Sequence, residues 1–134
     1  SLSQKSLEKS VIVCGLSYKP NVEDMRDSAS FKLILDLKKK NFKVFGYDPY
    51  FSNESTKKYL IENNLNELNF KKIENLNDEN LRGISCLCVV QHHDSVKEQV
   101  SEIYKQGIIP LIYDCQHKIS KESNSKSILE FLGE

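Results

Sequence analysis

The 134-residue sequence predicts a three-layer α/β domain on a mostly parallel sheet of about five strands. Three observations carry that prediction. Short apolar, β-branched runs recur at 11–14, 43–48, 84–90 and 108–114, as in strands covered on both faces. Between them fall segments with apolar residues at helical spacing. No repeat and no linker-like low-complexity tract interrupts the alternation, which leaves one core of ordinary size.

Taken in order, Val11-Ile-Val-Cys14 is a buried strand, followed by a charged loop over 15–28. Ser28 is placed to cap a helix that carries Phe31, Ile34 and Leu35 on one face, with Leu33 and Leu37 widening the stripe. Residues 43–48 form a second strand, stopped at Asp48-Pro49 because proline cannot continue the ladder. A helix follows from about Ser55 through Tyr59, Leu60 and Ile61. The stretch 63–80, rich in Asn, Glu and Leu, predicts at most a short edge strand near Phe70 and Ile73. Residues 84–90 are the strongest buried strand, and 94–104 form a helix with Val96, Val100, Ile103 and Tyr104 inward. A last strand spans 108–114. The polar stretch 120–127 reads as a mobile tail, after which Ile128, Leu129, Phe131 and Leu132 are expected to dock as a final helical turn. The organisation is a linker segment over 1–10, a domain over 11–118 and a C-terminal tail over 119–134. Strands alternating with helices at this spacing imply right-handed crossovers and a Rossmann-like architecture.

Composition excludes several function classes. Nineteen Lys and Arg balance nineteen Asp and Glu, so no net field favours nucleic acid or an anionic membrane surface. No apolar run approaches bilayer length and the N-terminus lacks signal-peptide order, so the chain reads as soluble and cytoplasmic. Its first residue is Ser and the opening ten residues are polar, which suggests a piece of a longer protein. Cys14, Cys86, Cys88 and Cys115 all lie in or beside apolar runs and read as small core residues. With one C-x-C and remote partners, their spacing supports neither a zinc site nor a disulfide framework, and none is nominated as a nucleophile.

The loop over 15–28 is the chemically expressive segment. It leaves a buried strand where open α/β sheets bind ligands, and it brings two cations, Lys19 and Arg26, to that edge. Lysine offers a compact charge to an anionic oxygen; arginine's planar fork can clamp a phosphate or carboxylate with paired bonds. Asp24 pairs naturally with Arg26, and Ser28 serves first as a cap. The loop lacks G-x-G-x-x-G, because Ser17, Tyr18 and Lys19 stand where further glycines would be, so a standard NAD cradle is absent. Gly15 alone reads as permitting a tight turn.

Gly15-Leu-Ser-Tyr-Lys-Pro-Asn followed by Asp24-Met-Arg-Asp-Ser28 resembles the G-L-x-[FY]-K-x-x-x-x-D-x-R-x-S signature of the C-terminal domain in UDP-glucose/GDP-mannose dehydrogenases. Tyr47-Asp48-Pro49-Tyr50 resembles that family's strand-ending Y-D-P, and weaker likeness continues at 89–94 and at Tyr113-Asp114, to about residue 118. The resemblance implies a substrate-nucleotide domain of an NAD-dependent UDP-sugar 6-dehydrogenase. Such enzymes oxidise a sugar's primary alcohol to a uronate with a cysteine upstream of this chain. It further implies that Tyr18 and Lys19 contact the substrate and that Arg26 reaches the cofactor side of the cleft. NAD is then held mainly by an N-terminal domain, joined through a central region that pairs two or more copies of the full-length enzyme. The fragment alone is expected to be inactive.

Two departures bear on the substrate. Many UDP-glucose oxidising members carry arginine two residues beyond the aspartate, where this chain has Gln116. An N-acetylhexosamine is therefore at least as plausible a sugar as glucose. At Gln91-His92-His93-Asp94 the family tends to have threonine and an acidic residue first. Adjacent histidines point opposite ways on a strand end, so they make no chelate; surface or helix-capping roles are expected, with Asp94 as an N-cap. His117 is uncommitted. Two other classes stay open: a free-standing Rossmann-like regulatory module that binds nucleotide, and a subunit-contact domain whose loop charges serve assembly.

Overall fold

The computed structural model describes residues 9–17, 29–65, 68, 70–116, 118–121, 125 and 127–131. Its elements are β1 (Ser10–Cys14), α1 (Ala29–Lys39), β2 (Lys43–Tyr47), α2 (Asn53–Glu62), β3 (Lys71–Lys72), α3 (Asp78–Leu81), β4 (Cys86–Val89), a 3-10 turn (Asp94–Val96), α4 (Lys97–Gln106), β5 (Leu111–Asp114) and β6 (Ile128–Phe131). The strands form one sheet in the order β3-β2-β1-β4-β5-β6, and every neighbouring pair is parallel. This is the doubly wound Rossmann-like arrangement, with its reversal of strand order between β1 and β4.

Strand alternation sorts side chains into two cores. Val11 and Val13 of β1, Val44 of β2 and Cys88 of β4 pack with Phe31 and Ile34 of α1 and Leu60 of α2. Ile12 and Cys14 of β1, Leu87 and Val89 of β4 and Ile112 of β5 face the other way, onto Val100, Ile103 and Tyr104 of α4. Because successive residues in a strand point to opposite faces, one five-residue run serves both layers. α2 begins two residues before the expected Ser55, since the Ser52 side chain accepts from the Ser55 amide at 3.0 Å and caps the turn. The expected cap of α1, Ser28, lies outside the described residues.

The sheet has six strands, one more than the sequence suggests. Residues 128–131, expected as a turn of helix, instead pair with β5, Leu111 opposite Ile128 and Asp114 opposite Phe131. Leu129 is buried at 5% exposure while Ile128 is 61% exposed, the period of a half-buried strand. Beyond β5 the ladder would otherwise end on unpaired backbone groups. The approach to the strand and its first residue are both fastened: Ser125 Oγ donates to Tyr104 O at 2.6 Å, and the Ile128 amide donates to Pro110 O at 2.8 Å. Among the described residues no helix is long and apolar enough to cross a membrane.

Candidate functional site

The strand order reverses between β1 and β4, and the loops that leave their carboxyl ends mark the position where open α/β sheets bind ligands. Gly15 makes the first turn there. Its φ is +97°, and a Cβ would sit 2.6 Å from both Cβ and N of Gln91, so the loops after β1 and β4 touch at this glycine. Ser30 Oγ donates to Gly15 O, joining the base of the charged loop to the first turn of α1.

Two buried aspartates then organise this edge. Asp48, directly after β2, takes the Leu16 amide on Oδ2 at 2.7 Å and the Tyr50 amide on Oδ1 at 2.8 Å. Its Oδ2 also lies 2.9 Å from His93 Nε2, with both side chains fully buried. The His93 ring meets Tyr50 edge-on at 4.7 Å, and its Nε2 is 3.5 Å from Ser17 Oγ. One carboxylate thus holds the loops after β1, β2 and β4 together. Asp114, the last residue of β5, accepts from the amides of Gln116, Lys118 and Ile119 at 3.0, 2.7 and 2.8 Å. Its Oδ1 is 2.8 Å from His92 Nε2. Burial alone would raise the Asp114 pKa; the Ile119 and Gln116 amides and His92 outweigh it and hold the carboxyl below its ordinary value. Gln116 Nε2 donates to Gln91 Oε1 at 2.8 Å and joins the loops after β4 and β5.

These contacts correct two expectations. His92 and His93 are neither surface nor capping residues: they are 3% and 0% exposed, and each takes a different aspartate because neighbouring side chains diverge. Asp94 does not occupy a helix N-cap position, which His93 takes for the 3-10 turn and Val96 for α4. It opens the 3-10 turn and pairs with Lys97 at 2.9 Å across an exposed surface, an ion pair of little energetic weight. Tyr18, Lys19 and Arg26, together with Asp24 and His117, lie outside the described residues; what the structure defines is the footing of their loop. Sequence reasoning missed Asp48 and Asp114 as paired anchors. Their shared signal was a tyrosine-aspartate ending on two buried strands, matched by two adjacent histidines ending a third.

A doubly wound parallel sheet whose strand-end loops are braced at its switch point places the chain in the Rossmann-like class of α/β domains. Within that class, the chain belongs to the UDP-glucose/GDP-mannose dehydrogenase family: the model of its UDP binding domain matches residues 12–121. A UDP-N-acetyl-D-mannosamine dehydrogenase of Methanococcus vannielii is 32% identical, the match covering 93% of this chain and 28% of that protein. The GDP-mannose dehydrogenase of Pseudomonas aeruginosa shares the fold at a TM-score of 0.69 and 18% identity, over 97% of this chain and 29% of its own. The native UDP-N-acetyl-mannosamine dehydrogenase of Staphylococcus aureus does so at 0.62 and 18%, over 96% and 28%. The chain therefore spans little more than a quarter of these relatives.

Proposed function

We propose that this chain is the C-terminal, substrate-nucleotide-binding part of an NAD-dependent UDP-sugar 6-dehydrogenase that converts a sugar's primary alcohol to a uronate, and that it is inactive by itself. The observation that carries the reading is the coincidence of the family match over 12–121 with a hydrogen-bonded set of strand-end loops at the switch point, where the loop bearing Tyr18, Lys19 and Arg26 begins. Lys19 and Tyr18 contact the nucleotide sugar. Arg26 faces NAD, which is held mainly by an N-terminal domain, and a central domain links copies of the full-length enzyme. Oxidation of the alcohol to the carboxylate transfers two hydrides to two NAD and consumes one water, with the covalent cysteine supplied from outside this chain.

An N-acetylhexosamine is the favoured sugar. Gln116 is engaged with Gln91 where an arginine would serve UDP-glucose oxidation, and the curated relative named above acts on UDP-N-acetyl-D-mannosamine. Titrating the 134-residue chain with UDP and GDP, followed by amide chemical shifts, tests the nucleotide assignment. UDP is expected to shift resonances flanking 15–28, and Lys19→Ala to abolish that response. An unaltered response in the variant rejects the role of Lys19, and no response to UDP at all favours a subunit-contact domain. NADH formation by the isolated chain would contradict its inactivity. In the complete reading frame, an upstream cysteine required for NADH formation separates the dehydrogenase from a free-standing regulatory module.

A further inference from the structure

Cys86 and Cys88 lie two residues apart on β4, so their side chains leave the same face of the sheet. Their sulfur atoms are 3.9 Å apart. Cys86 is half-buried, Cys88 is 7% exposed, and neither contributes to the braced edge described above. Among the described residues no three His, Cys, Asp or Glu side chains converge on a position for a metal ion.

We propose that Cys86 and Cys88 form a site of reversible oxidation, closing to a disulfide in response to a hydroperoxide. Cys86 is the attacking thiol because it is the more accessible of the two. Its thiolate attacks one peroxide oxygen, the O–O bond breaks, and the departing oxygen takes up a proton and leaves as water or an alcohol. Cys86 is thereby oxidised to the sulfenic acid and the peroxide is reduced. The Cys88 sulfur then attacks Cys86 Sγ; the S–S bond forms, the S–O bond breaks, and hydroxide combines with the Cys88 proton and leaves as water.

The surroundings assign these roles consistently. The hydrogen bond from Cys88 draws Cys86 below the ordinary thiol range against the opposing effect of burial, with the Tyr113 amide contributing in the same direction. The same contact, followed by burial, raises Cys88. Burial pushes Cys115 up to about 11 and Cys14 up to about 12, the opposite direction to Cys86. Residues two apart on a strand have Cα atoms about 6.4–6.8 Å apart, at the long end of what a disulfide spans.

Trypsin releases both cysteines in one peptide, residues 83–97, bounded by Arg82 and Lys97. After treatment of the 134-residue chain with stoichiometric hydrogen peroxide and quenching with iodoacetamide, that peptide is expected to lack two hydrogens and carry no alkyl groups. Dithiothreitol is expected to restore two alkylatable thiols. Cys88→Ser is expected to leave a sulfenic acid on Cys86 that a dimedone probe captures, whereas Cys86→Ser gives neither product. A doubly alkylated wild-type peptide after peroxide, or a disulfide linking it to the peptide of Cys115, would overturn the proposal.

Discussion

Asp48 Oδ2 receives His93 Nε2 at 2.9 Å and the Leu16 amide at 2.7 Å, so one oxygen atom joins the loops on both sides of the switch point. Asp48→Asn keeps the shape and removes the charge that strengthens these bonds. We expect a loss of about 1.5–3 kcal/mol in urea-unfolding stability, the usual worth of a hydrogen bond to a charged group. Loss of under half a kcal/mol would show that the carboxylate does not brace the edge.

Asp114 makes stability depend on acid pH. Its folded pKa is below the unfolded carboxyl value, which is about 3.9. Its contribution is complete above that unfolded value and disappears as pH falls through the lower folded value. The stability gap between the wild type and Asp114→Asn is therefore expected to be constant above about pH 5 and to close below pH 4. Urea midpoints taken from pH 7 to pH 3 measure it, and a gap that widens on acidification would reverse the assignment.

Gly15→Ala meets two obstacles together, a φ of +97° and the Gln91 backbone at 2.6 Å. Each alone costs on the order of 1–3 kcal/mol. A fall in the thermal midpoint larger than that of an Ala29→Gly control is expected, since the control lies at the first residue of α1 and costs at most about 1 kcal/mol, the cost of a glycine in a helix interior.

Leu129→Ala and Ile128→Ala test β6 as a strand. Adjacent residues on a strand differ in burial, here 5% against 61%. The first substitution is expected to cost about 2–4 kcal/mol and the second within about half a kcal/mol. Equal costs would favour a packing with both side chains inward.

Lys19→Ala and Arg26→Ala are expected to separate substrate from cofactor contact. In the 134-residue chain, UDP affinity should fall at least about tenfold for the lysine variant, or about 1.4 kcal/mol. The arginine variant should bind UDP nearly as the wild type does. Isothermal titration distinguishes them; parallel losses would place both cations on the same nucleotide.

The parts of this protein written in local patterns were readable along the chain. Val11, Ile12 and Val13 announce a strand buried on both faces, and Val100, Ile103 and Tyr104 announce an inward helix face; both are present, although residues 94–96, expected as the start of that helix, form a 3-10 turn that buries Val96. The spacing of the 15–28 loop sufficed to indicate the family to which the match over 12–121 assigns the chain. By contrast, Ile128-Leu-Glu-Phe131 carries too few residues to separate a strand from a helical turn. Its state is decided by the open edge of β5, an element contributed by distant sequence. The histidines show the same division. Their divergence follows from adjacency, but Asp48 and Asp114 lie 45 and 22 residues from their partners. Only the order and register of β2, β1, β4 and β5 bring them into contact. Sequence by itself determined the elements, their alternation and the loop's chemistry, because those depend on neighbours within a few residues. Tertiary structure decided the sixth strand, the requirement for Gly15 and the two aspartate anchors, because those depend on which strand ends meet.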